Sequence, residues 1–192
     1  MISGVRKALA GLLLVSTVST ADSWTLQTLM HDMAQVPASK SRFTETRHIG
    51  LLARPLELKG SLTYERPNRL SKHVQSPFDE LLSVDGEAAT LLNRTKGEQR
   101  FVSLREQPAL GALVASVRST LAGDVAQLER HYRIEFSGPR DAWVLRLEPR
   151  ERQVKAIVDT ITLSGAAARL TRIEIVETAG DRSVMTNLHD GK

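Results

Sequence analysis

The chain has 192 residues, a length that suits one domain built on a single core. Its formal charge of +4 falls to +2 if Arg6 and Lys7 leave with a cleaved leader, too small and too evenly spread an excess for a nucleic-acid surface. With no cysteine in the sequence, disulfides, thiolate metal sites and a lipidated N-terminal cysteine are excluded.

Residues 1–21 begin with two cations, continue in an apolar run from Ala8 to Val18, and end in Ser19-Thr20-Ala21. This three-part pattern predicts a cleaved secretory signal, and the run is too short for a membrane span. The alternative reading is a buried N-terminal helix. A cleaved signal leaves residues 22–192 as one domain outside the cytoplasm, and in a bacterium with an outer membrane that compartment is the periplasm. Trp24, Leu26, Leu29, Met30 and Met33 then recur at helical spacing, with Asp22 or Ser23 as N-cap and Pro37 as the stop. The stripe could line an adaptable apolar cavity or be ordinary core.

Strands follow. Arg42 to Ile49 reads as the first, and from Leu56 to Tyr64 apolar residues alternate with polar ones at the period of a half-buried strand. Arg66-Pro67-Asn68 interrupts the pattern, Leu70 and Val74 resume it, and Leu81 to Val84 leads through Asp85-Gly86 into Ala88 to Leu92. Asp-Gly between two apolar runs signals a hairpin with a type I′ turn, so this region is an antiparallel meander. Gln99 to Leu104, with Phe101 and Leu104, adds another strand.

From Pro108 to Leu121 the period changes. Leu110, Leu113, Val114, Val117 and Leu121 share a helical face, Pro108 suits the first turn and Gly123 the stop, and Asp124 caps a short segment beyond. A helix inserted between two runs of strands can serve as a lid over a concave face or simply close a core. Tyr132 to Phe136, Trp143 to Leu147, Val154 to Leu163, Leu170 to Val176 and Ser183 to Leu188 return to strands, with a small-residue turn over 164–168. The fold class is α+β, mainly β: about ten strands in a strongly curved antiparallel sheet or incomplete barrel, covered by helices.

Nothing in this pattern announces catalysis. The five histidines show no metal-ligand spacing, no nucleophile elbow or phosphate-binding loop is present, and Asp79 and Glu80 point to opposite faces of a strand. The expectation is a non-enzyme without metal or cofactor.

Phe43-Thr44-Glu45-Thr46, Gly60 to Asn68, Gln75-Ser76-Pro77 and Ser83 to Gly86 taken in order resemble the periplasmic LolA-like outer-membrane lipoprotein carrier proteins. The resemblance implies an incomplete barrel whose lidded cavity takes lipoprotein acyl chains from an inner-membrane transporter and passes them to an outer-membrane acceptor. A monomer is expected, and the small charge excess already argues against a nucleic-acid partner. The cavity would be lined by Leu58, Leu62, Tyr64, Leu70, Val74 and Leu82 from the meander, with Leu113 and Val117 from the helix. The family's functional arginine matches Arg66, which would hold the lid by hydrogen bonds to lid carbonyls, a role that suits a guanidinium with five donors. The chain departs from the family twice. Lys72 stands on the same face as Leu70 and Val74 where the family is aromatic, free either to reach the rim or to meet an anionic head group. The chain also ends soon after its last strand. Another amphiphile as cargo, such as a glycolipid or an aryl-polyene lipid, is an alternative, and a non-shuttling envelope sensor or scaffold is a further one.

Overall fold

The structure, a computed structural model, describes residues 24–188. The signal expected over 1–21 and the caps expected at Asp22 or Ser23 lie outside that range. Within it the order is α1 (Leu26–Ala34), β1 (Ala38–His48), β2 (Leu56–Glu65), β3 (Arg69–Ser76), β4 (Glu80–Asp85), β5 (Ala88–Asn93), β6 (Glu98–Ser103), a 3₁₀ turn (Leu104–Glu106), α2 (Pro108–Ala122), α3 (Val125–His131), β7 (Tyr132–Ser137), β8 (Trp143–Pro149), α4 (Arg152–Lys155), β9 (Val158–Ala166), β10 (Arg169–Glu177) and β11 (Arg182–Leu188).

All eleven strands form one antiparallel sheet in the order β6-β5-β4-β3-β2-β1-β11-β10-β9-β8-β7. It is two meanders joined where β1 pairs with β11. The sheet is curved and unclosed, because β6 and β7 are its two edges and do not pair with each other. Since β6 and β7 are also consecutive strands, the segment between them must travel from one edge to the other. That segment is α2 and α3. It runs over the inner face, where α2 touches β3 on one side and β9 on the other, with α1 and α4 packed against it.

Register makes the inner face a set of continuous rows. Leu58 lies opposite Glu45, Glu45 opposite Met185, Met185 opposite Ile173, Ile173 opposite Leu163, and Leu163 opposite Leu145. Cross-strand partners point to one face, so a single row crosses six strands and carries one charged member, Glu45. The helical segment is shaped by its own sequence. Pro108 occupies the first turn of α2, where a missing N–H costs nothing, and Gly123 ends it at φ 71°. A Cβ at Gly123 would also stand 2.2 Å from the Met30 carbonyl, so glycine lets α1 approach the end of α2.

Several expectations need correcting. The cap of α1 is Thr25, which exchanges hydrogen bonds with Thr28 in a capping box. The β4–β5 hairpin turns on Gly86-Glu87, since Asp85 pairs with Ala88, and only Gly86 has positive φ; this fits a type II′ turn rather than I′. Val154 belongs to α4, and the strand starts at Val158. That strand then continues through Gly165, because the indole of Trp143 lies over the glycine and its Nε1 donates to the Ala167 carbonyl at 2.9 Å. Phe101 is 78% exposed on the edge strand, while Leu104, in the 3₁₀ turn, is buried. The methionine stripe of α1 packs in the core.

Candidate functional site

Beneath α2 the inner face is not filled. A hollow of about 280 Å³ is bounded by Leu113, Val114 and Val117 of α2, by Leu62, Leu70, Lys72 and Leu82 of the first meander, and by Ile173, Ile175 and Met185 of the second. At one end it is rimmed by His48, Ile49, Glu177 and Asp181. Of the residues expected to line such a cavity, Leu62, Leu70, Leu82, Leu113 and Val117 do border it. Leu58, Tyr64 and Val74 are buried but do not border the hollow. The hollow straddles the seam between the meanders, and sequence reasoning omitted the whole contribution of β10 and β11. Their alternation over Ile173, Ile175, Ser183 and Met185 carries the signal, but only pairing across the seam brings it opposite β3.

Arg66 stands on the turn between β2 and β3. Its Nη1 donates to the carbonyl of Ala34, the last residue of α1, and at 3.3 Å to the carbonyl of Ala122, the last residue of α2. Both acceptors are helix-end carbonyls with no partner inside their helix, at the negative end of the dipole, where a cation is favoured. One exposed side chain thus joins both helices to the sheet. Its backbone N–H donates to the Pro37 carbonyl at 2.9 Å, which fixes the turn from which it reaches.

Lys72 faces the hollow rather than the rim. Its ammonium pairs with Glu45 and lies 5.3 Å from the centre of the Phe43 ring. Glu45 is 3% exposed and also accepts from Arg47 Nε at 2.7 Å and from Ser183 Oγ at 2.7 Å. Burial pushes the Glu45 pKa up, but the charges of Lys72 and Arg47 and their hydrogen bonds outweigh it and hold the carboxyl below its ordinary value. Burial pulls the Lys72 pKa down, and Glu45 only partly opposes it. Glu45 was missed because its neighbours in sequence are polar. The usable signal was its place two residues after Phe43, on the same face of one strand.

A second recess, of about 450 Å³, lies on the other side of α2 between Asn68, Glu87, Arg118, His131 and Glu151. Arg118 and Glu87 face each other at 3.7 Å and His131 bonds Glu151 at 2.9 Å, so charged groups pair with one another across a wall that also carries Leu104, Ala115, Tyr132 and Val154. Among the described residues no group of histidines, aspartates and glutamates is placed to hold a metal.

An unclosed antiparallel sheet crossed on its inner face by helices, with an apolar hollow beneath them, defines the fold class. The chain belongs to the family described as outer membrane lipoprotein carrier protein LolA-like, whose model matches residues 17–189. An outer-membrane lipoprotein carrier protein of Methylibium petroleiphilum is 27% identical over 178 residues, covering 93% of this chain and 83% of that one. Another of that name from Pseudomonas paraeruginosa is 22% identical over 166 residues, covering 84% and 74%. A solved LolA superfamily protein from Nitrosomonas europaea superposes with a TM-score of 0.45 at 13% identity, covering 88% of this chain and 96% of that one.

Proposed function

We propose that the protein is a periplasmic carrier which, after removal of residues 1–21, holds acyl chains of lipoproteins or a similar amphiphile beneath α2. It takes them from an inner-membrane transporter, gives them to an outer-membrane acceptor, and works as a monomer without catalysis. The observation that carries this reading is the apolar hollow under α2, in the segment that links the sheet's two edges. Family membership and the names of the relatives support it.

Energetics sets what such a carrier needs. At ~0.8 kcal/mol per buried CH₂, one myristoyl chain gains on the order of 10 kcal/mol on leaving water but almost nothing on leaving a bilayer. The hollow must therefore be about as apolar as a membrane, with affinity adjusted by opening and closing. Arg66 is the latch in this reading. Lifting α2 away breaks its bond to Ala122, worth about 1 kcal/mol net, small enough for cargo to tip and large enough to bias the empty state closed.

At about 280 Å³ the hollow lies just under the usual ~300–1,000 Å³ of ligand sites, so the closed state suits a slim occupant better than several chains together. That size supports, as a second reading, a non-protein lipid as cargo. The deciding experiment is mass spectrometry of a solvent extract of the protein purified from membrane-bearing cells. Copurified acyl chains support a carrier and identify the cargo class. A clean extract from protein that also fails to take up a fluorescent fatty acid overturns the reading in favour of a sensor or scaffold.

A further inference from the structure

We infer that the hollow selects amphiphiles with an anionic head group, and that Lys72 is the residue that receives it. The inference rests on the carrier reading and names the chemistry of its cargo. Lys72 occupies the middle of an apolar wall: register sets it opposite Leu62 on one side and Leu82 on the other, with Leu70 and Val74 flanking it on its own strand. An ammonium has three N–H donors. One carboxylate oxygen of Glu45 and the face of Phe43 are its neighbours in the closed state, and that carboxylate also serves Arg47 and Ser183.

The charges of this cluster do not cancel. Lys72 and Arg47 contribute two positive charges against the one negative charge of Glu45, with the Ser183 hydroxyl neutral. The other acids do not restore the balance at the ammonium: Glu80 acts on it less than Glu45 does, and its Oε1 accepts from Asn93 Nδ2 at 2.9 Å. Asp181 accepts from the Gly50 N–H at 2.9 Å, and Glu177 lies exposed at the end of β10. Acyl chain laid over this wall strips the remaining water from Lys72. A wholly uncharged occupant offers nothing to replace the charge interaction, and the stripped donors then carry the cost of an unsatisfied buried cation. A carboxylate or phosphate on the occupant supplies acceptors of the right sign at the place where they are missing. Glu45 has a separate part. It holds the ammonium at the wall and lowers the cost of burying that charge between cargoes, which makes it a positioning residue rather than a contact.

The test compares cis-parinaric acid, a fluorescent fatty acid, with its methyl ester, which has the same chain but no charge. The full mature chain should bind the acid about tenfold more tightly than the ester, as a charge-assisted bond exceeds a neutral one. Lys72→Met should bring the two affinities together, chiefly by weakening the acid. Glu45→Gln, which removes the carboxylate that holds the ammonium at the wall, should narrow the gap without closing it. Lys72→Gln provides the same comparison as Lys72→Met with a polar side chain should the methionine variant melt early. Equal binding of acid and ester by the unaltered protein, or an unchanged preference in both Lys72 variants, overturns this inference and leaves the carrier reading standing. Binding of neither probe overturns this inference, and together with a clean solvent extract it removes the carrier reading as well. Competition by a lysophospholipid but not by inorganic phosphate or acetate supports a head group attached to a chain, whereas competition by the free anions alone overturns it.

Discussion

The two meanders share a sheet but are packed differently. In β8 and β9 of the second meander the inner face is filled: Trp143, Leu145, Leu147, Ile161 and Leu163 have no exposed surface, and Trp143 closes over Gly165. In β1–β6 the same face carries smaller or polar groups in places, with Ala89 on β5 and Glu45 and Lys72 near the centre, and β6 is mostly exposed. The hollow opens where the filled half meets the unfilled one. The far strands of the second meander are a packed wall, and space remains at the seam, where β3 faces β10 and β11.

The strongest way to break this comparison is Trp143→Ala. It should cost about 3–5 kcal/mol in a urea melt, because the indole fills the space over a glycine and no neighbour can collapse into it. A loss of less than about 1 kcal/mol would mean that β8 and β9 are not a packed wall. Matched truncations sharpen the contrast. Leu145→Ala in the filled half should cost about 2–5 kcal/mol, while Leu82→Ala beside the hollow should cost about 1 kcal/mol, since Leu82 already borders empty space. Equal costs would erase the distinction between the halves.

Arg66→Leu should change stability by about 1 kcal/mol or less, since the guanidinium is exposed, yet alter the transfer of cargo to a purified acceptor. Normal transfer by this variant would remove the latch. The smallest effect concerns acid stability. Glu45 titrates below its ordinary value of 4.5 in the folded protein, so the unfolded chain takes up that proton first. Its stabilising contribution is present above about pH 4.5 and is lost as the pH falls through the folded value. Thermal melts from pH 6 downward should therefore be flatter for Glu45→Gln than for the unaltered protein, and parallel curves would show that the carboxylate is not held by its cations.

Much of the architecture was legible because a half-buried strand writes its burial into alternate positions. Leu56 to Tyr64 and Trp143 to Leu147 could be assigned, face included, from that period alone. Boundaries were less legible where tertiary contacts override local pattern: Ser164 and Gly165 look like turn residues, and only the overlying indole keeps them in the strand. At the site, the register of β3 put Lys72 on the inner face without any structure. The partner that defines its chemistry, Glu45, comes from a strand two places away in the sheet, and the β10 and β11 walls come from the far end of the chain. Adjacency of that kind is set by the closing pairing of β1 with β11, which no local window contains.

The crossover has one more consequence. Only Gln107 separates the 3₁₀ turn after β6 from α2, and α3 runs into β7 with no intervening residue. A two-helix crossing held this tightly at both banks, with only Gly123 and Asp124 between its helices, is a bridge rather than a hinged door. It has no slack with which to swing aside, so raising its span must shift the abutments it rests on. If cargo sits beneath it as proposed, loading should change the distance between β6 and β7, which a pair of spin labels on those two strands would read.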